Sequence, residues 1–100
     1  MKDTGTDQRV NETQIIRVRY WSAARTAAGC DTEEIQVTGP MTLSDVLAEV
    51  VRRHPGTRLP DVLSVCSVLL GDRPVATEDP ADVLVPPGST LEFLPPFAGG

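Results

Sequence analysis

Lysine is almost missing from this chain of 100 residues: Lys2 stands alone, and apart from His54 every other basic side chain is an arginine. Lysine-linked chains of this protein therefore have one internal acceptor at most. Aromatic residues are also scarce, at 4%, so the core has to be built from aliphatic side chains. The two cysteines, Cys30 and Cys66, form no CxxC pair and have no histidine cluster near them in sequence. That spacing argues against a disulfide scaffold and against a zinc module, so both are expected as reduced thiols with no metal site. No run approaches the roughly 20 apolar residues of a membrane span. The opening "MKDTGTDQRVNETQ" lacks the apolar stretch of a secretory signal, so no membrane contact and a cytoplasmic location are expected. The net charge of -5 disfavours a phosphate backbone as partner, and no nucleic acid is expected. Glycines 29, 39, 56, 71 and 88 are isolated and make no GxxxxGK phosphate loop. His54, beside Arg52 and Arg53, reads as a cation at a helix C-terminus, where the dipole favours it. A catalytic role for it lacks a candidate partner in the sequence.

What is present is a patterned 40% of hydrophobic residues, enough for one small domain. Residues 1–14 are polar and aperiodic and are expected to form a flexible tail. "QIIRVRYW" then alternates: Ile16, Val18 and Tyr20 share one face, while Ile15, Arg17, Arg19 and Trp21 share the other, which predicts a half-buried strand. "SAARTAAG" predicts a short helical turn closed by Gly29. "EEIQV" predicts a strand from Glu33 to Val37, ended by Gly39-Pro40. "TLSDVLAEVVRRHPG" is the clearest helix. Thr42 and Asp45 have the spacing of a capping box, Leu43, Val46, Leu47, Val50 and Val51 form an apolar stripe, and Pro55-Gly56 stop it. "RLPDVLSV" is ambiguous, reading as a short helical turn before a strand at about Ser67 to Leu70. "GDRP" predicts a turn and Val75-Ala76 a short return strand. "PPGST" is a further turn, and "TLEFL" is the last strand, with Leu91 and Phe93 on one face and Glu92 and Leu94 on the other. One main helix on one face of a small mixed sheet is an α+β arrangement, expected over residues 15–94.

The ending "FLPPFAGG" is the most informative stretch. Pro95 and Pro96 cannot continue a strand ladder, and they stiffen the start of the tail. Gly99 and Gly100 lack Cβ atoms and suit a narrow channel. Residues 95–100 form an extended tail that spans roughly 20 Å at full stretch. A C-terminal carboxylate, with a pKa of roughly 3.5, is an anion at neutral pH and a poor electrophile until it is activated.

These segments carry a resemblance. The chain is similar to the small, sulfur-carrying subunits of molybdopterin synthase, within the MoaD/ThiS-like family of ubiquitin-fold proteins. "IIRVRYWSAARTAAG" resembles that family's opening strand and its F-A-x-x-R-E-x-x-G segment, with Trp21 near the aromatic and Arg25 on the arginine. "TLSDVLAEV" resembles its T-V-x-x-L helix start, and "FLPPFAGG" its F-x-P-P-V-x-G-G ending. The likeness covers about Ile15 to Gly100. Thr26 departs from the family's frequent glutamate, and "LLGDRPV" lacks the asparagine usual before that turn.

The resemblance implies a β-grasp fold and a function. A separate adenylyltransferase/sulfurtransferase activating enzyme uses ATP to adenylate Gly100 and converts the adenylate to a thiocarboxylate. The tail then enters the large synthase subunit and donates its sulfur to a pterin precursor in molybdenum cofactor biosynthesis. Gly100 is the reacting residue and Gly99 permits its approach; no bound cofactor and no independent active site are expected in this chain. The family's assembly implies a heterotetramer of two small and two large subunits. Strand parity adds a docking patch of Arg19, Trp21, Arg25, Leu94, Pro95, Pro96 and Phe97. Two other readings share the Gly-Gly ending: a sulfur carrier for thiazole or cysteine, and a ubiquitin-like protein modifier.

Overall fold

The computed structural model describes residues 14–96. Strand β1 runs Gln14–Tyr20, helix α1 Ser22–Ala28, β2 Thr32–Val37, β3 Met41–Thr42, α2 Leu43–Arg53 and α3 Leu59–Leu63. Then come β4 Ser67–Leu70, β5 Arg73–Pro74, a 3-10 turn Pro80–Asp82, β6 Leu84–Val85 and β7 Thr90–Leu94. The sequence places two polar or extended tails at residues 1–14 and 95–100. Of these, residues 1–13 and 97–100 lie outside the described residues.

Five strands form one mixed sheet in the order β2-β1-β7-β4-β5. β1 is antiparallel to β2 and parallel to β7, with Val18 opposite Leu91 and Tyr20 opposite Phe93. β7 is antiparallel to β4, with Phe93 opposite Val68. The first and last strands are thus central neighbours, and the C-terminal segment leaves from the middle of the sheet. The period of two is kept throughout. Ile16, Val18, Tyr20, Ile35, Val37, Val68, Leu91 and Phe93 are all buried. Onto that face α2 lays Leu43, Val46 and Val50, and α3 adds Leu59 and Leu63. Helix α2 starts where it does because the Thr42 hydroxyl accepts a hydrogen bond from the Asp45 N–H at 3.0 Å, a cap worth about 1 kcal/mol. This is the α+β, β-grasp arrangement that the resemblance implies.

One expectation needs correction, and one strand pair is additional to those expected. The return strand β5 is Arg73–Pro74, two residues before the expected Val75-Ala76. Val75 is instead a fully buried core residue whose N–H bonds the Val68 carbonyl at 2.9 Å. The pair β3–β6, joining Met41 to Val85 and Thr42 to Leu84, has no counterpart among the strands expected from sequence. Strands of two residues leave no period to detect.

Candidate functional site

The sheet face opposite the helices ends, on its tail side, in a small built surface. Glu92 and Leu94 lie on one face of β7, away from buried Leu91 and Phe93. Beside them Arg19 stands in register with Glu92. Trp21 prolongs β1 by one residue, its N–H donating to the Phe93 carbonyl at 3.1 Å. Its indole Nε1–H donates to Glu92 Oε1 at 2.9 Å. The Arg19 guanidinium carbon sits 4.9 Å from the indole centroid, within the range of a cation–π contact. Trp21 as a whole is still 39% exposed, so it is positioned without being covered.

The backbone next to it is unusual. Ser22, the first residue of α1, has φ 51. A non-glycine residue in the left-handed region gives up about 1–2 kcal/mol. That turn sets the chain from β1 into α1 directly after Trp21. Helix α1 has no side-chain cap at Trp21; it ends at Gly29, whose N–H makes the last helical bond to the Arg25 carbonyl at 2.8 Å and whose φ of 78 turns the chain out of the helix.

The structure therefore gathers Arg19, Trp21 and Leu94 on one face, with Pro95 half-buried and Pro96 exposed just beyond. Arg25 is set apart: its Nε lies 3.8 Å from Asp31 Oδ1, tied to the turn after α1. Phe97, Gly99 and Gly100 lie outside the described residues.

A second constellation is not visible in the sequence, where His54 has no partner and reads as a dipole cation. In the fold His54 caps α2, and its Nε2 lies 2.6 Å from Glu33 Oε2. The other carboxylate oxygen of Glu33 accepts from the Tyr20 hydroxyl at 2.8 Å. A carboxylate only accepts, so the hydrogen-bonded Nε2 carries a proton. Burial, followed by the hydrogen bond and charge of Glu33, pushes the Tyr20 phenol far above its ordinary value. Cys30 joins this group, and its thiol is also pushed up by burial and then by Glu33. One signal of this group does lie in the strand pattern. Glu33 shares the parity of Ile35 and Val37 and so points to the buried face, where a carboxylate requires partners. Cys66 stands apart, buried, with its thiol pushed up to about 11 by burial alone.

With this geometry in place, residues 18–100 match the ThiS family. The chain belongs to the ThiS family. A relative from Aspergillus niger, a molybdopterin synthase sulfur carrier subunit, is 30% identical over 85 residues, which is 85% of this chain and 93% of the relative. Among solved structures, SAMP1 from Haloferax volcanii superposes with a TM-score of 0.70 at 22% identity, covering 86% of this chain and 99% of that one. The complex of subunits 1 and 2 of molybdopterin-converting factor from Helicobacter pylori gives 0.58 at 21% identity, covering 86% and 99%. At those identities the two structures bear on the fold of this ThiS-family chain, and they agree with its β-grasp sheet. No helix among the described residues is long and apolar enough to cross a membrane.

Proposed function

We propose that this chain is the sulfur-carrier subunit of a molybdopterin synthase. The observation that carries the reading is the likeness to the Aspergillus niger sulfur carrier subunit along nearly its whole length. The topology supports it, because central strand β7 leads directly into Pro95-Pro96 and the Gly-Gly ending.

The chemistry is that of the terminus. The Gly100 carboxylate attacks the α-phosphorus of ATP on an activating enzyme and pyrophosphate leaves. Sulfur then replaces AMP at the acyl carbon, either as sulfide directly or as a persulfide whose S–S bond a second thiol cleaves to form a disulfide, and a thiocarboxylate remains. Its sulfur is a softer and better nucleophile than a carboxylate oxygen, while the adenylate supplies the leaving group. Gly99 and Gly100 pass into the large subunit, where the sulfur moves to a pterin precursor and water restores the carboxylate. Trp21, Leu94 and the proline pair dock the large subunit, with Arg19 and Arg25 at the margin and Phe97 on the tail. The assembly holds two small and two large subunits, works in the cytoplasm, and places the pterin-handling groups on the large subunit.

Reconstitution tests this. The thiocarboxylated chain, mixed with a large subunit and the pterin precursor, is expected to yield the dithiolene product. A chain lacking Gly100 should yield none. Product formation that persists without Gly100 contradicts the proposal. The modifier reading draws on the fold shared with SAMP1; it predicts ladders of tagged protein in extracts of cells expressing this chain.

A further inference from the structure

Three donor-bearing side chains from three separate elements meet beside Tyr20. Cys30 comes just after α1, Glu33 sits on the inward face of edge strand β2, and His54 closes α2. One ligand atom from each lies within 4.8 Å of the other two. Within the group, His54 Nε2 lies 2.6 Å from Glu33 Oε2. We propose that Cys30, Glu33 and His54 bind one divalent cation of the zinc class, with water in the fourth position.

The geometry is close to what such an ion needs. With metal–ligand lengths of about 2.0–2.3 Å, tetrahedral donors stand about 3.3–3.5 Å apart. The His54–Glu33 separation of 2.6 Å falls just short of that range, and no pair in the group is more than 4.8 Å apart. Closing the site requires Glu33 and His54 to part by less than an ångström, with Cys30 already within 4.8 Å of both. Cys30 sits in the turn after α1 and is only partly buried.

The donor chemistry selects the ion. A thiolate, an imidazole and a carboxylate are a mixed set that suits zinc. Calcium and magnesium demand oxygen donors and find only one carboxylate here. On binding, the Cys30 thiol releases its proton to solvent, and the proton that His54 Nε2 donates to Glu33 in the metal-free chain exchanges through solvent onto Nδ1, freeing Nε2 for the metal. Thiolate and carboxylate then balance the two positive charges of the ion. Arg53, the neighbouring cation, is already occupied: its Nε donates to Glu49 at 2.8 Å and its Nη1 to the Glu34 carbonyl at 3.1 Å.

The surroundings supply the outer support that metal sites use to orient ligands. The Tyr20 hydroxyl donates to Glu33 Oε1 at 2.8 Å, so Oε2, which faces His54, becomes the oxygen for the ion once Nε2 turns from donor to ligand. The Tyr20 ring meets the His54 ring edge-on, with centroids 6.4 Å apart and planes at 89°. One buried tyrosine thus holds two of the three ligands. The ion would staple the turn after α1, the edge strand and the end of α2. It needs neither the tail nor the large subunit, so its test is separate from that of the sulfur-carrier reading.

The full chain, reduced and stripped of metal, is titrated with Co²⁺ and then with Zn²⁺ against a chromophoric chelator. One equivalent of Co²⁺ is expected to bring in a near-ultraviolet sulfur-to-cobalt charge-transfer band. Cys66→Ser should keep that band and Cys30→Ser should lose it. Tyr20→Phe should weaken zinc binding about 10–100-fold, as loss of an outer-shell partner does, and His54→Gln should weaken it further. Circular dichroism without metal checks that each variant folds. Cys30→Ser, a near-isosteric change, decides the matter should His54→Gln fail that check. No charge-transfer band in the parent chain, a band that survives Cys30→Ser, or zinc affinity unchanged in folded His54→Gln overturns the site.

Discussion

Removing the Glu33 carboxylate is the sharpest probe of how the fold uses its inward-facing acid. In the folded chain Glu33 accepts two hydrogen bonds, from the Tyr20 hydroxyl at 2.8 Å and from His54 Nε2 at 2.6 Å. Both side chains of the His54–Glu33 pair are only 14% exposed, and Tyr20 is 2% exposed, so water replaces these bonds poorly. A hydrogen bond to a charged group contributes about 1.5–3 kcal/mol, and a buried donor left without an acceptor costs about 1–3 kcal/mol. Glu33→Ala strips both partners at once and is expected to cost about 3 kcal/mol. Tyr20→Phe removes one donor, leaves His54 on the carboxylate, and should cost about 1.5 kcal/mol. The double variant should cost little more than Glu33→Ala alone, a coupling of about 1–2 kcal/mol. Urea unfolding with a chelator present measures this without any metal contribution. At about 1–3 kcal/mol per molar urea, Glu33→Ala should lower the midpoint by about 1–3 M. A cost below about 0.5 kcal/mol for Glu33→Ala would show that the network stabilises nothing, and additivity within about 0.3–0.5 kcal/mol would show that Tyr20 and Glu33 do not act as a pair.

Three further tests address single positions. Gly29→Ala puts a side chain at φ 78 with nothing within 4 Å of its Cβ. The expected loss is therefore backbone strain alone, about 1 kcal/mol, and about 4–8 °C in Tm; an unchanged Tm would contradict the left-handed cap. Cys66 is buried with its thiol pushed from 9.0 up to about 11. Alkylation of the native, metal-free chain at pH 8 should mark Cys30 well before Cys66, with both marked equally in denaturant. Because the folded thiol is the weaker acid, its share of stability is complete below pH 9.0 and is lost as pH rises through about 11. Cys66→Ala should flatten that alkaline decline. Finally, Trp21→Ala and Leu94→Ala should each weaken binding to a large subunit by about 1–3 kcal/mol, or about 5- to 150-fold. Unchanged affinity in folded variants would remove the docking face.

Much of this fold is legible in the sequence because its longest elements carry clean periods. β1, β7 and α2 each show which side is buried, and Thr42 and Gly29 mark where helices start and stop. The return strand is harder to place because Val75 looks like strand material, yet it packs as core while Arg73 and Pro74 make the pairing. β3 and β6 are held by pairing to each other, which no local pattern encodes. The proposed docking face is half legible: parity puts Arg19, Trp21 and Leu94 together, but the Trp21–Glu92 hydrogen bond and the Arg25–Asp31 pairing are tertiary. The Cys30–Glu33–His54 group is hidden for the same reason, since a spacing rule cannot join residues brought together only by folding. The parity of Glu33 alone gives warning of it.

The most direct measurement is the intact mass of the chain purified from cells that make the molybdenum cofactor. Replacing one terminal oxygen by sulfur adds about 16 Da, and a Gly100 deletion separates that gain from the equal gain of a singly oxidised methionine or cysteine. The account predicts that the added mass maps to the C-terminal peptide and vanishes in the deletion. A terminus that stays a plain carboxylate, even with the activating enzyme, ATP and a sulfur donor supplied, would contradict it.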